Sequence, residues 1–172
     1  MLTTVALFAS SRRHGNTGEI LDRIAADLNI EVIDLSETDM SSYDYAHRNR
    51  GDGFEPLMER ILKYDQIIFA APVYWYAVPP PMKTFIDRLN DLLDLSDLRQ
   101  KGRQLRGKKA FVVATSGIDE ISIAFITMFR DTFAYLGMEY CGLLHVNCDG
   151  GYRKGSAEIE IESFISLVRS GQ

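Results

Sequence analysis

Strand-like and helix-like stretches alternate five times along this chain, and that alternation limits the fold more than any other feature of the sequence. Residues 3–9 (TTVALFA) form a short apolar run rich in β formers, and Thr17 to Leu28 follows with helical spacing at Ile20, Leu21, Ile24, Ala25 and Leu28. Residues 30–35 alternate like a strand, 54–64 read as a helix, and 66–71 (QIIFAA) as a fully apolar strand. Pro79 to Pro81 open a third helix that runs through Leu93, since proline is tolerated at helix starts. A strand at 110–115 (AFVVAT), a long apolar helix from Ile121 to Leu136, a strand at 140–146 and an amphipathic helix from Ala157 to Val168 complete the pattern. Repeated βα units with continuous apolar strands imply right-handed crossovers and a parallel sheet covered by helices on both faces. Five such strands predict the order 2-1-3-4-5, with ligands bound outside the carboxyl ends of the strands where the order reverses.

At 172 residues the chain suits one domain, residues 1–172, and buries enough surface to need no disulfide or metal staple. The net charge of −5 argues against general nucleic-acid binding, which needs a positive field, but leaves room for a local basic pocket. Two cysteines, Cys141 and Cys148, are too few for a disulfide framework and fit a reducing compartment. The first residues lack the basic start and long apolar run of a signal peptide, and no stretch approaches the ~20 apolar residues of a membrane span. The expected setting is therefore cytoplasmic, away from membranes.

The loops after the first, third and fourth strands stand where a ligand is expected, and each carries unusual sequence. After the first comes ASSRRHGNTGE (Ala9 to Glu19), which packs hydroxyls, arginines and glycines into the turn that opens a helix. A helix N-terminus offers free N–H groups and partial positive charge. Ser10, Asn16 and Thr17 add neutral donors there, and Arg12 can grip a phosphate bidentately. Neither the dinucleotide fingerprint nor the Walker loop is present. The competing reading is that Ser, Asn and Thr merely cap the helix. After the third strand, Tyr74, Trp75 and Tyr76 would form an apolar wall for a flat ring, and such aromatics also suit a subunit interface. After the fourth, Thr115, Ser116 and Gly117 make a tight polar turn whose amides face the same place. A phosphate at one end and a planar polar ring at the other describe a mononucleotide such as FMN.

SSRRHGNT before a helix, PVYWYAVPPPMKTFIDRL, and TSG after the fourth strand together resemble the NAD(P)H-dependent FMN reductase and quinone reductase family of flavodoxin-like proteins. The likeness runs from the first strand through the fifth. Ala9 replaces the family's first glycine and Met82 its usual leucine; neither change alters the donors. The resemblance implies an α/β, flavodoxin-like three-layer sandwich whose single domain binds FMN. It implies that Ser10, Arg12, Asn16, Thr17 and the amide of Gly18 hold the phosphate. Pro72, Val73, Tyr74, Trp75 and Tyr76 would border the isoalloxazine, and Thr115, Ser116 and Gly117 its pyrimidine side. It implies hydride transfer from NADPH or NADH to the flavin, then delivery of two electrons to a small-molecule acceptor such as a quinone or free flavin. The cofactor carries that chemistry, so no catalytic side-chain acid or base is expected. The rival reading is a flavodoxin-like one-electron carrier that serves a protein partner. An iron–sulfur flavoprotein would need a compact cysteine cluster, and residues 36–65 contain none.

Other residues receive structural readings. Lys83, Asp87 and Arg88 are expected to pair along their helix and at subunit contacts. Cys141 and His145 are expected to share a strand face apart from Cys148, as inert side chains and not metal ligands. His14 is a plausible anion contact, and His47 reads as a solvent-exposed loop residue. The segment Arg99 to Lys109, with six basic residues and no acid, reads as a solvated loop at the edge away from the ligand. The apolar helix Ile121–Leu136, with the Leu89–Leu98 region, predicts a twofold interface in a homodimer or homotetramer.

Overall fold

The computed structural model describes residues 2–171. Five parallel strands lie in the order β2-β1-β3-β4-β5, as the alternation predicts. They are β1 (Thr4–Phe8), β2 (Glu31–Asp34), β3 (Gln66–Pro72), β4 (Lys109–Ser116) and β5 (Glu139–Asn147). Helices α1 (Asn16–Leu28) and α7 (Glu158–Ser170) cover one face. The other carries α2 (Phe54–Ile61), α3 (Pro80–Arg88), α4 (Asp91–Asp94), α5 (Arg99–Arg103) and α6 (Ile123–Leu136). The central strands β1, β3 and β4 are buried almost end to end because side chains of both parities meet a helical layer.

Each helix follows from a local pattern. In α1, Ile20, Leu21 and Ile24 share the buried stripe, and Asn29 closes the helix in the left-handed region (φ 51°), its N–H donating to the Ala25 carbonyl. The helix expected from Pro79 to Leu93 divides: α3 ends at Arg88, and α4 restarts at Asp91. In α6, Phe125, Phe129 and Phe133 recur every fourth residue; Phe129 and Phe133 meet the Phe69 ring of β3 at a tilt, and Phe125 meets Phe129 edge-on.

Three expectations fail here for identifiable reasons. The basic stretch 99–109 is not a solvated loop. It contains α5, and Leu98 and Leu105 anchor it in the core while Lys101 and Lys109 reach Glu59 and Glu139 at 2.6 and 2.7 Å. His47 is not left to solvent. Its Nδ1 lies 3.0 Å from the buried Asp91 carboxylate, on the loop that follows β2. Cys141 and His145 do not share a face. The β4–β5 register shifts at Ala110/Phe111, so both Tyr140 and Gly142 fall opposite adjacent residues and Cys141 is the extra one. Beyond that bulge the parity is reversed. Cys141 packs with Leu144, Val146 and Cys148 toward α1 and α7, and His145 points to the α6 side.

Arg88 has a larger structural role than the expected helix pairing. It is 1% exposed. Its Nε donates to Asp91 at 2.7 Å, and Nη1 donates to Asp52 at 2.5 Å and to the Ser41 carbonyl at 2.9 Å. Its guanidinium also lies 4.7 Å over the Phe54 ring. One side chain thereby fastens the irregular 39–53 segment to α3 and α4. Lys83 and Asp87 form the expected i,i+4 pair at 2.6 Å.

Candidate functional site

The carboxyl edge of the sheet is the place where β1, β3 and β4 release their loops, and the ladder geometry carries past the strand ends. Ala9 N–H donates to the Ala70 carbonyl (3.0 Å), Val73 N–H to Thr115 (2.8 Å), and Cys148 N–H to Ser116 (2.7 Å). The first residues of the loops after β1, β3 and β5 are therefore fixed by backbone bonds to the neighbouring strand. They surround a hollow of about 190 Å³.

Most of the residues expected at the site meet there. Ser10, Arg12, Asn16, Thr17, Pro72, Val73, Tyr74, Thr115, Ser116 and Gly117 all line the hollow. Gly15 and Cys148 join them. Gly18 lies buried beneath, and a Cβ built on it would sit 1.8 Å from the Arg13 carbonyl oxygen. Its place is decided by that close approach of loop to helix. His14 is exposed and does not line the hollow. Trp75, 93% exposed, and Tyr76 also stand outside it.

The opening of α1 decides between capping and anion binding. Gly15 occupies the N-cap, and no side chain accepts a hydrogen bond from the first turn. The polar residues that were candidate caps are engaged elsewhere. Thr17 Oγ1 bonds Thr115 Oγ1 at 2.6 Å, joining α1 to β4, and Asn16 Oδ1 accepts from the Tyr152 N–H at 3.1 Å. The helix thus presents an uncapped N-terminus with partial positive charge to the hollow. Arg13 is committed to Asp22 through two bonds of 2.6 and 3.1 Å and lies over the Phe8 ring. Arg12 lines the hollow.

Tyr74 joins the first and third loops. Its hydroxyl lies 2.5 Å from Ser11 Oγ. Burial pushes the Tyr74 phenol up, but hydrogen bonds from Ser11 and Ser10 and the charge of Arg12 outweigh it, so the hydroxyl is held below the usual tyrosine range. Beyond it the chain reverses in two residues: Tyr74 N–H donates to the Ala77 carbonyl (2.8 Å) and Ala77 N–H returns to Tyr74 (3.1 Å). Trp75 and Tyr76 both have positive φ, 48° and 66°. That is the signature of a type I′ turn, which Asn-Gly fills without strain and two aromatics do not.

The sequence reading missed Cys148 and His145. Cys148 opens the loop after β5 at the same edge as the other three, so the rule that located those loops also covers the fourth. Burial pushes its thiol up, leaving a neutral small side chain in the wall. His145 reaches the site through Ser116, whose Oγ lies 2.7 Å from His145 Nε2.

A larger hollow, about 640 Å³, lies at the opposite edge of the sheet. Apolar Leu2, Leu28, Ile30 and Val168 dominate it, and its charged members Glu31 and Arg169 are paired with Arg60 and Asp27. It has size without a free cation or helix N-terminus. Among the described residues, no helix is long and apolar enough to cross a membrane, and no group of three or more metal-ligating side chains occurs.

Comparison with known proteins agrees with the geometry. The family model for NADPH-dependent FMN reductase matches residues 2–151. YwqN of Bacillus subtilis, described as an NAD(P)H-dependent FMN-containing oxidoreductase, is 28% identical over 140 residues, which cover 77% of each chain. An iron–sulfur flavoprotein of Clostridioides difficile is 27% identical over 186 residues, covering 98% of this chain and 76% of that one. The present chain has only two cysteines, too few to hold a cluster by thiolates. Among solved structures, the Trp repressor binding protein of B. subtilis superposes with a TM-score of 0.73 at 23% identity, over 96% of this chain and 97% of that one. General stress protein 14 of Treponema denticola, solved in complex with FMN, gives 0.67 at 16% identity over 99% of both chains. A flavodoxin of Streptococcus pneumoniae gives 0.62 at 22% identity over 99% of both chains, so the fold is flavodoxin-like.

Proposed function

The chain belongs to the NADPH-dependent FMN reductase family, and on that footing we propose that it binds FMN at the carboxyl edge of its sheet, takes hydride from NADPH or NADH, and delivers two electrons to a small-molecule acceptor such as a quinone or free flavin. The observation that carries this reading is the uncapped N-terminus of α1 opening into the same hollow as Arg12. The donor set fits the group: backbone N–H groups and a guanidinium for a phosphate, and neutral hydroxyls and amides for a polar ring. FMN held there would supply the redox chemistry, a hydride acceptor for nicotinamide and an electron source for the acceptor.

The residues of this chain bind and orient. Arg12 and the first turn of α1 neutralise the phosphate dianion. Thr17, tied to Thr115, keeps that turn seated on β4. Pro72 and Val73 offer apolar contact, and the Tyr74 hydroxyl, made a stronger donor by its serine partners, closes the gap between phosphate loop and ring wall. Ser116 and Gly117 supply the polar edge.

The test is the visible spectrum of the FMN-loaded protein during anaerobic addition of NADPH, then NADH. Rapid bleaching is expected. A bound but unbleached flavin would favour a one-electron carrier, and failure to bind FMN would remove the reading altogether. Arg12→Ala is expected to weaken FMN binding by about 10- to 100-fold, the worth of one charged hydrogen-bond partner.

The same edge supports self-association. Trp75, Tyr76 and Ile118 are exposed on the loops after β3 and β4, and Ile123 is exposed at the start of α6, whereas Leu89, Leu92 and Leu98, expected at an interface, are consumed by the chain's own core. We propose that a second copy packs over this edge. Replacing the turn by Trp75→Asn with Tyr76→Gly is expected to relieve about 2 kcal/mol of backbone strain and raise the melting temperature. It should also shift micromolar protein toward the monomer in sedimentation velocity. A native chain that already sediments as a monomer would end the association proposal, and a lowered melting temperature would end the strain argument.

A further inference from the structure

Ser116 is a cavity-lining hydroxyl whose hydrogen has two competing destinations inside the protein. Its Oγ lies 2.7 Å from His145 Nε2 and 3.1 Å from the Ile118 carbonyl, and it accepts the Ile118 N–H at 3.3 Å. A hydroxyl has a single hydrogen. If His145 Nε2 is bare, Ser116 donates to the imidazole. If Nε2 carries the hydrogen, the imidazole donates to Oγ, and the Ser116 hydrogen turns to the Ile118 carbonyl or to an acceptor in the hollow. The histidine tautomer and the direction of the serine hydroxyl are therefore one variable, not two.

We propose that His145 is a positioning residue for the ligand-facing hydroxyl: its Nε2-protonated form frees the Ser116 hydrogen to donate to a carbonyl of the bound ring. The inference rests on the reading of this hollow as an FMN site. It needs no net change in protonation, because one hydrogen exchanges between Nδ1 and Nε2 through solvent.

The placement of His145 suits this role. It sits on β5 opposite Ala114 of β4, two residues before the position paired with Ser116, on the α6 side of the sheet. The bulge at Cys141 matters here, since strict alternation continued from Cys141 would turn the side chain toward the α1–α7 core. Burial lowers its pKa and Asp119 opposes the shift, with the net result below the usual histidine range, so the ring is neutral near pH 7 and the tautomer matters. Asp119 is itself held by the Asn147 amide at 2.6 Å. Glu160 of α7 lines a shallow outer hollow together with His145. Asp119, on the loop after β4, is the charged group that acts on the imidazole.

The test is nitrogen-15 NMR of the imidazole at about pH 8, above the ordinary histidine pKa, on the native protein, the FMN-loaded protein and Ser116→Ala. FMN is expected to move His145 toward the Nε2-protonated tautomer, and Ser116→Ala to abolish that movement while leaving the ring neutral. His145→Leu should weaken FMN binding about three- to tenfold, as the loss of one hydrogen-bonded partner predicts, and His145→Gln, which keeps both a donor and an acceptor, should restore part of it. A tautomer that stays the same in all three samples overturns the inference while the FMN site stands. Equal FMN affinity of native, Leu and Gln proteins does the same. No FMN binding by the native chain overturns the site reading and this inference with it.

Discussion

Gly18→Ala is expected to cost about 3 kcal/mol or more of stability, or to displace the phosphate loop and abolish FMN binding. The position is helical, where alanine normally gains about 1 kcal/mol over glycine, so propensity alone predicts the opposite sign. The new Cβ would lie 1.8 Å from the Arg13 carbonyl oxygen and 3.0 Å from its carbon. Those are backbone atoms and cannot rotate away as a side-chain tip would. Arg13 is further held by its two bonds to Asp22 and its stacking on Phe8. Relief therefore requires the segment between Ser10 and Gly15 to move as a unit, taking Arg12 off the N-terminus of α1. Gly117→Ala is the control for stability: no atom beyond the adjacent residues lies within 4 Å of its Cβ, and a change within about 0.5 kcal/mol is expected. Urea midpoints and FMN fluorescence titration read both effects. A Gly18→Ala protein as stable as the native chain, with unchanged FMN affinity, would show that the close approach of loop to helix does not matter.

The sheet and its order were legible because period and composition agree: apolar runs such as IIFAA and FVVA survive only between two helical layers, and each is followed by a helix with one buried stripe. The three loops were legible for a related reason, since strand order alone says where a ligand edge lies. What stayed hidden depended on contacts distant in sequence or on a single backbone irregularity. Nothing local distinguishes Arg88 from any helical arginine, because Asp52, its partner, stands 36 positions earlier in an irregular loop. Simple alternation along β5 predicts the wrong neighbours for His145, because one bulge residue reverses the parity after Cys141. The aromatic triplet was read as one wall, yet the two-residue reversal after Tyr74 keeps that ring in the hollow and turns the next two outward. Sequence pattern locates a loop; the turn type inside it decides which side chain points to the ligand.

Arg88→Met is expected to destabilise the fold by about 3–5 kcal/mol, the cost of breaking a buried ion pair from one side. Methionine fills much of the space left by the arginine stem, so the loss is electrostatic more than steric. It strands Asp91, which is fully buried, beside Asp52, with the guanidinium that joins them removed. Asp52→Asn should cost less, because Arg88 keeps its bonds to Asp91 and the Ser41 carbonyl. The same pair has a pH signature. Burial pulls the Asp52 carboxyl up, but hydrogen bonds from Arg88, Phe54 N–H and Ser41 N–H hold it below the usual carboxylate range. With the folded pKa depressed, the stabilisation is fully present above the unfolded value of about 4 and fades as pH falls toward the folded value. Unfolding free energy of the native chain should therefore drop more steeply below about pH 4 than that of Asp52→Asn. Matching acid slopes in the two proteins would mean that Asp52 gains nothing from Arg88. None of Arg88, Asp52 and Asp91 lines the hollow, so FMN affinity per folded molecule should stay within about twofold, a change of under 0.5 kcal/mol. A large stability loss at constant affinity separates the rivet of the fold from the residues that hold the ligand.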